Sequence, residues 1–459
     1  MLEFDYQDLE EWSGGEWVNV PSGERVLGFS YDTRRLAAGD MFLALKSPKR
    51  DGHYFIEEAK EKGAAAALVS LPRMDVDLPQ LVVKDTLVGL GNLAQGYRKS
   101  GPATIIGVTG SCGKTTFKDL LNRLLGGKPD AWSTEGNLNN RIGVPVTILG
   151  MPLRDCRFAI VEAGISERGE MESLAGIINP EIAVFTSIGP AHLEGLGSLA
   201  GIAEEKGLLA RKGGSCRVYM GESCIPYKEQ LAGDLDYQVV AEREEVHRVK
   251  RFRSSISGES TRISLQGIDQ DFVVNGIGRG LASNVALALC LAMDLGVDVS
   301  ALGERLRQWS PSNMRGEWKT LGSARVYLDC YNANPQSMID ALDTFNRLSK
   351  GTDKRVFLLG SMGELGESSD EWHRRVGASL DLRKNDIAVL IGDGAAALKR
   401  GFGDAGGSGR VELISRVDEA QQYLSGFYGD VFIKGSRRYG LESAVRFLER
   451  SSETEKTTC

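Results

Sequence analysis

The sequence predicts an α/β protein of three domains, a small mixed α/β unit followed by two sheets built mainly from parallel strands. Three observations carry this expectation. The chain has 459 residues, too many for one hydrophobic core and enough for about three units of ordinary domain size. From Gly101 onward, short continuous apolar runs alternate with amphipathic helical segments, the pattern of parallel strands covered by helices on both faces. One strand-to-helix junction, residues 109–116, is the glycine-rich stretch TGSCGKTT.

Composition sets the outer bounds. The chain is 42% hydrophobic and 25% charged, as in an ordinary globular protein, which excludes disordered and fibrous classes. A formal net charge of -7 gives no reason to expect nucleic acid as a partner. No apolar run approaches the roughly 18 residues of a membrane span, and the first residues, MLEFDYQDLEEW, are acidic. The expectation is a cytoplasmic protein with no membrane partner. Seven cysteines without a CxxC pair fit reduced thiols rather than a zinc site or a disulfide framework.

The first domain, 1–100, is expected to hold short strands at Met41 to Leu45 and Gln80 to Val83 and an alanine-rich helix from Tyr54 to Ala67. Ser100-Gly101-Pro102 closes it, because proline blocks helix propagation. The second domain, 101–311, begins with a buried-strand run at Thr104 to Val108. Phe117, Leu120, Leu121, Leu124 and Leu125 then recur at helical spacing until Gly126-Gly127. Further strands are expected at Arg157 to Val161 and Ile182 to Ile188. Ser310-Pro311-Ser312 marks the next boundary. The third domain, 312–459, repeats the alternation at Val326 to Leu328, Val356 to Leu359, Ile387 to Ile391, Val411 to Ile414 and Val431 to Ile433, a second doubly wound, Rossmann-like unit. The last nine residues, SSETEKTTC, are polar and expected to fray.

The glycine-rich junction supplies the chemistry. A strand, a glycine turn and a helix N-terminus place backbone N–H groups and the positive end of a helix around one anion. Thr109, Gly110, Ser111, Cys112, Gly113, Lys114, Thr115 and Thr116 are therefore the candidate nucleotide-phosphate loop, with Lys114 reaching the outer phosphates and the Thr115 hydroxyl on magnesium. Val108 stands where the common spacing has glycine, so Gly110 must supply the turn. Cys112 has no partner that would make it a nucleophile and is expected to be silent.

Two other strands end in residues suited to a hard cation. Glu162 follows one and His192 closely follows the other, and bound ATP alone leaves the oxygen shell of magnesium incomplete. Lys206, after the N-cap candidate Ser198 in SLAGIAEEKGLLARK, reads by itself with Glu204 and Glu205 as a solvated helix face.

An ordered set of segments extends nearly end to end: SYDTRRLAAGDMFLAL, RDGHYF, DLPQLVVKDT, GVTGSCGKTT, GNLNNRIGVPVT, AHLEGLGSLAGIAEEKG, LDCYNANPQSM, GSMGELGE and VFIKGSRRYGLE. In these the chain resembles the Mur ligases, the muramoyl-peptide ligases of cell-wall precursor synthesis. The resemblance implies an ATP-dependent ligase that phosphorylates the carboxylate of UDP-N-acetylmuramoyl-tripeptide and joins it to D-alanyl-D-alanine through an acyl phosphate. It implies two magnesium ions, a carbamylated Lys206 among their ligands with Thr115, Glu162 and His192, and a monomer.

It also implies roles for single residues. Asn284, Arg315 and Asn332 would lie around the nucleotide. Thr134, Asn137, Asn139 and Asn140 would face the muramoyl peptide, and Thr33 and Arg34 the UDP group. Lys434, Ser436 and Arg437 would stand near the incoming dipeptide. Read as bare residues, Asn137 to Asn140 fit a polar turn, Thr33 and Arg34 a capped turn, and Lys434 to Arg437 a solvated strand end. The chain departs from the family at Gly280-Leu281, where His-Asn is common, at Ser361, where aspartate is common, and at Ser47, where glycine is common. The alternatives are another Mur-type amino-acid ligase, a folate ligase, a switch or motor that hydrolyses ATP without ligation, and a precursor-binding protein.

Overall fold

In the computed structural model, which describes residues 2–19, 25–212, 215–243 and 248–449, the described residues form three large sheets in sequence order and a two-stranded ribbon at Lys46–Ser47 and Arg50–Asp51. The terminal SSETEKTTC segment lies outside the described residues. The first sheet orders Glu16–Val18, Gln80–Val82, Ala66–Val69, Asp40–Leu43 and Gly28–Ser30 across five strands. Only its Glu16–Val18 edge pairs antiparallel.

The expected helix from Tyr54 to Ala67 is wrong in its second half. A helical turn at Gly52–Phe55 leads into Ile56–Glu61, and Ala66–Val69 is a fully buried strand between two parallel neighbours. Local alanine propensity gives way there to sheet pairing.

The second sheet has nine strands. Thr104–Thr109 runs between Phe158–Glu162 and Ile182–Phe185, all parallel, so three carboxyl ends open onto one place. Ala131–Ser133 flanks this group on one side, and Arg217–Gly221, Tyr237–Ala241 and Val249–Ser257 on the other, still parallel. Beyond that point the pairing changes. Val249–Ser257, Ser260–Leu265 and Asp271–Asn275 form an antiparallel meander whose side chains alternate between buried and exposed.

The third sheet orders Glu317–Leu321, Ala324–Leu328, Gly429–Lys434, Arg355–Gly360, Ile387–Ile391 and Arg410–Ile414, antiparallel only at its first pair. Apolar clusters pack on both of its faces.

The two junctions differ. One apolar cluster runs without a break from Phe4, Leu9 and Met41 of the first unit through the helix Thr86–Lys99 to Ile105, Ala159 and Phe185 of the second sheet. Arg98 donates to the carbonyls of Ile178 and Asn179, and the Tyr97 hydroxyl to that of Met151. The third sheet meets the second beside the cleft described next, through polar groups and through Leu193, which packs against the apolar cluster of the third unit.

Candidate active site

The loop after Thr104–Thr109 is shaped by two glycines. Gly113 has φ +81, a left-handed value that side chains rarely adopt, and a Cβ there would press on the Asn284 amide. A Cβ on Gly110 would overlap Thr186 Oγ1. Neighbouring strand-end residues hold the loop. Ser111 N donates to Ser187 O at 2.8 Å, Cys112 N to Ser187 Oγ at 2.9 Å, and Ser111 Oγ to Gly189 O at 2.9 Å. Two loop amides are thus committed within the protein. The helix Lys114–Leu124 begins at once, with no side chain capping it, so its first N–H groups and dipole remain for an anion.

Around this helix start the predicted residues converge. Thr115 Oγ1 donates to Glu162 Oε2 at 2.9 Å and Asn139 Nδ2 to Glu162 Oε1 at 2.7 Å. The Glu162 carboxylate is buried. Thr134 Oγ1 accepts from Glu162 N, and the Thr134 carbonyl accepts from buried Lys118. Lys114 Nζ folds back to Gly110 O at 2.8 Å. Burial pushes its pKa down, while Glu162 and Cys112 oppose the shift. A bound polyanion would relieve that cost.

Lys206 lies on the helix Leu199–Arg211, capped by Ser198 through Gly201 N. The solvated-face reading holds for Glu204, which is exposed, and fails for its neighbours: Lys206 is 0% exposed and Glu205 8%. Glu205 accepts from Gly169 N and Met171 N, which caps a neighbouring helix. Among the described residues, Lys206 Nζ has no hydrogen-bond partner. Burial, and then repulsion from Lys114, drive its pKa well below the ordinary lysine range. A buried, unpaired ammonium is strongly disfavoured, so the position calls for a neutral amine or a modified one.

A cleft of about 1550 Å³ spans the second and third sheets. Ser111, Cys112, Gly113, Lys114, Thr115, Thr116, Asn137, Asn139, Glu162, Asn284, Arg315, Asn332 and Lys434 line it. Arg315 stacks 4.0 Å from the Tyr331 ring centroid, and Asn284 donates to Gly113 O. Lys434 is not a solvated strand end. It is 1% exposed and donates to Asp329 Oδ2 at 2.6 Å, with longer contacts to the Asp329 and Asn332 carbonyls.

Other predicted residues lie off the cleft lining. Thr109 is buried and donates to Ala163 O. Asn140 accepts from Ile142 N and Gly143 N, as a turn residue does. Thr33 is buried, with its carbonyl bonded to Lys62, and Arg34 pairs with Asp32. Arg437 pairs with Glu442 beside Ser436. His192, at φ +57, pairs with Glu364 of the third sheet's loops.

The sequence reading passed over Asn334, although it sits in the same YNANP segment as Asn332. Asn334 caps Pro335–Leu348 and donates to Ser111 O at 3.3 Å and Cys112 Sγ at 2.8 Å. Cys112 is therefore in contact with the third domain. Asp340 likewise accepts from the amides of Arg279 and Gly280, so the family departure at Gly280-Leu281 coincides with a backbone contact. Ser361 is fully buried and bonded to the backbone of Ile391 and Gly394.

Comparisons with known proteins identify the family and fold that the chain is similar to. Residues 108–292 match the Mur ligase middle domain and residues 314–437 the Mur ligase, glutamate ligase domain. The UDP-N-acetylmuramoyl-tripeptide--D-alanyl-D-alanine ligase of Bacillus subtilis is 31% identical, covering 98% of this chain and 99% of its own length. Among solved structures, MurF from Acinetobacter baumannii is 26% identical with a TM-score of 0.86, covering 98% of this chain and 99% of its own. MurF from Thermotoga maritima in complex with ADP is 25% identical with a TM-score of 0.78, covering 93% and 98%.

Proposed function

We infer the activity from family and geometry together: the chain belongs to the Mur ligase family, and its cleft suits the chemistry named for those relatives. The protein joins D-alanyl-D-alanine to UDP-N-acetylmuramoyl-tripeptide at the expense of ATP, as a cytoplasmic monomer. The observation that carries this is the convergence of Lys114, Thr115, Glu162 and Asn139 at an uncapped helix start beside the third sheet. The work divides among the unit at 1–100, which takes the UDP group with Thr33 and Arg34, the unit at 101–311, which takes ATP, and the unit at 312–459, which closes the site and orients the dipeptide with Ser436 and Arg437.

The donor set fits magnesium. Threonine hydroxyl and glutamate carboxylate are hard oxygen donors, and the orphaned Lys206 Nζ suits a carbamate, which would turn a repelling cation into a further oxygen ligand. Among the described residues no three His, Cys, Asp or Glu side chains form a complete site, so phosphate oxygens must finish the coordination. Thr115, Glu162, His192 and carbamylated Lys206 would hold two ions. When bound, they offset the repulsion between substrate carboxylate and triphosphate.

The chain's own groups do the rest. Lys114 leaves Gly110 O for the transferred phosphoryl group, where its charge counts most in a water-poor cleft. Asn139, already bonded to Glu162, and Asn137 beside it on the cleft wall align the peptide carboxylate for in-line attack. Arg315, Asn332 and Asn284 fix the nucleotide. The amine of the dipeptide then displaces phosphate from the acyl phosphate, forming the amide.

Phosphate release tests this reading. With ATP, magnesium and UDP-muramoyl-tripeptide present, release should begin only when D-alanyl-D-alanine is added, and should vanish in Lys114→Ala. Release indifferent to both substrates would favour an ATP-hydrolysing switch instead.

A further inference from the structure

The helix Arg279–Asp294 opens without a cap of its own. It has 16 residues, and its N-cap position is Gly278, at φ +140, with no side chain to accept from the first turn. The first N–H groups of a helix have no partner inside it. Two of them are met here from across the domain junction. Arg279 N donates to Asp340 Oδ1 at 3.0 Å and Gly280 N to Asp340 Oδ2 at 3.2 Å. Asp340 stands on the third domain's helix Pro335–Leu348. Both of its carboxylate oxygens thus face the start of a second-domain helix, where the helix dipole also favours a negative charge.

The approach is open because two glycines flank it. A Cβ on Gly278 would come within 3.3 Å of Asp340 Oδ2 and of Thr344 Oγ1, and a Cβ on Gly280 within 3.2 Å of Asp340 Oδ2. A histidine at 280, as is common in the family, would press on the carboxylate, so the departure there leaves room for the contact. What the cap holds lies against the nucleotide loop. Asn284, on the next turn of the capped helix, donates to Gly113 O at 3.2 Å, just before Lys114. The same third-domain helix reaches that loop directly through Asn334, on Ser111 O and Cys112 Sγ. One helix therefore meets the loop twice, once by contact and once through Asp340 and Asn284.

We propose that Asp340 is a positioning residue for the nucleotide: by capping Arg279–Asp294 from the third domain, it fixes that helix start and sets Asn284 against the phosphate loop. The cap exists only while the third domain is docked. A nucleotide that binds better when the cap is made therefore stabilises docking, and docking strengthens nucleotide binding by the same factor. The inference rests on the ligase reading only for the identity of the nucleotide.

Amide hydrogen exchange and titration calorimetry test this on the full chain, with ADP as the probe. With ADP bound, the amides of Arg279 and Gly280 should exchange slowly in the wild type. In Asp340→Ala they should exchange about fivefold faster, and Kd for ADP should rise about fivefold, the factor that one lost cap supplies. Asp340→Asn, which keeps one acceptor oxygen without the charge, should fall between. A merely structural role would weaken ADP binding in any background, whereas a positioning role has no effect once its target is gone. Added to Asn284→Ala, Asp340→Ala should therefore change Kd by less than about twofold. Wild-type exchange at 279 and 280 in Asp340→Ala, an unchanged Kd, or the full loss on top of Asn284→Ala would overturn the proposal. Both readouts are taken without ligation, so the expected results in a protein that does not ligate would sink the ligase reading alone.

Discussion

The first sheet and the third sheet both lean on the second, and they do so by different physics. Between first and second, buried apolar side chains form one continuous cluster, and Arg98 and Tyr97 add hydrogen bonds to carbonyls 54 to 81 residues away. Between third and second, Asn334, Asp340 and Glu364 contact Ser111, Cys112, Arg279, Gly280 and His192. Apolar burial is short-ranged and hard to undo without unfolding. Polar contacts beside a wet cleft can be exchanged for water or ligand at small net change. The first junction is therefore expected to stay shut and the third to exchange its contacts more readily.

Substitutions on either side should separate stability from catalysis. The largest effect is expected in the cleft itself: Lys114→Ala should lower kcat by roughly 10³-fold, in the range seen on removing one transition-state donor, with an unchanged melting temperature in calorimetry. At the first junction the opposite pattern is expected. Arg98→Ala strips donors from two carbonyls and should cost about 2 kcal/mol of stability in urea titration while leaving kcat within about twofold. If Arg98→Ala impaired kcat as Lys114→Ala does, the two junctions would not be distinct in kind.

Asn334→Ala sits between these cases. It removes a helix cap, worth about 1 kcal/mol, and the contact with the phosphate loop, so KM for ATP should rise about fivefold by initial-rate kinetics. The smallest effect is expected from His373. Burial lowers its pKa, so below the ordinary imidazole range the unfolded chain takes up a proton that the folded chain refuses. Stability should fall as pH drops through that range, and His373→Gln should flatten the dependence in melts from pH 7.5 to about 5.5.

Much of the site was legible because it is local. TGSCGKTT carries its strand, turn and helix in one stretch, and Glu162 stands directly at a strand end. The meander at Val249–Ser257 through Asp271–Asn275 was missed because one of its faces meets solvent, which breaks the continuous apolar runs that marked the other strands. The burial of Lys206 was not legible in its bare residues because EEK looks solvated in isolation, and only the packing of a whole helix against the sheet buries it; the family resemblance alone singled the residue out. Asn334 and Glu364 were passed over because the Asn334 partner, Cys112, lies 222 residues away and the Glu364 partner, His192, belongs to another domain, and no local pattern specifies such a pairing.

The claim that one junction is fixed and the other moves is tested most directly by single-molecule energy transfer between unnatural-amino-acid labels at exposed positions. One pair would span Met74 and Glu229, the other Glu229 and Tyr428. On adding an ATP analogue and UDP-muramoyl-tripeptide, the first distance should stay constant and the second should shorten into one narrow population. A second distance that does not respond, or a first that changes as much, would contradict the account.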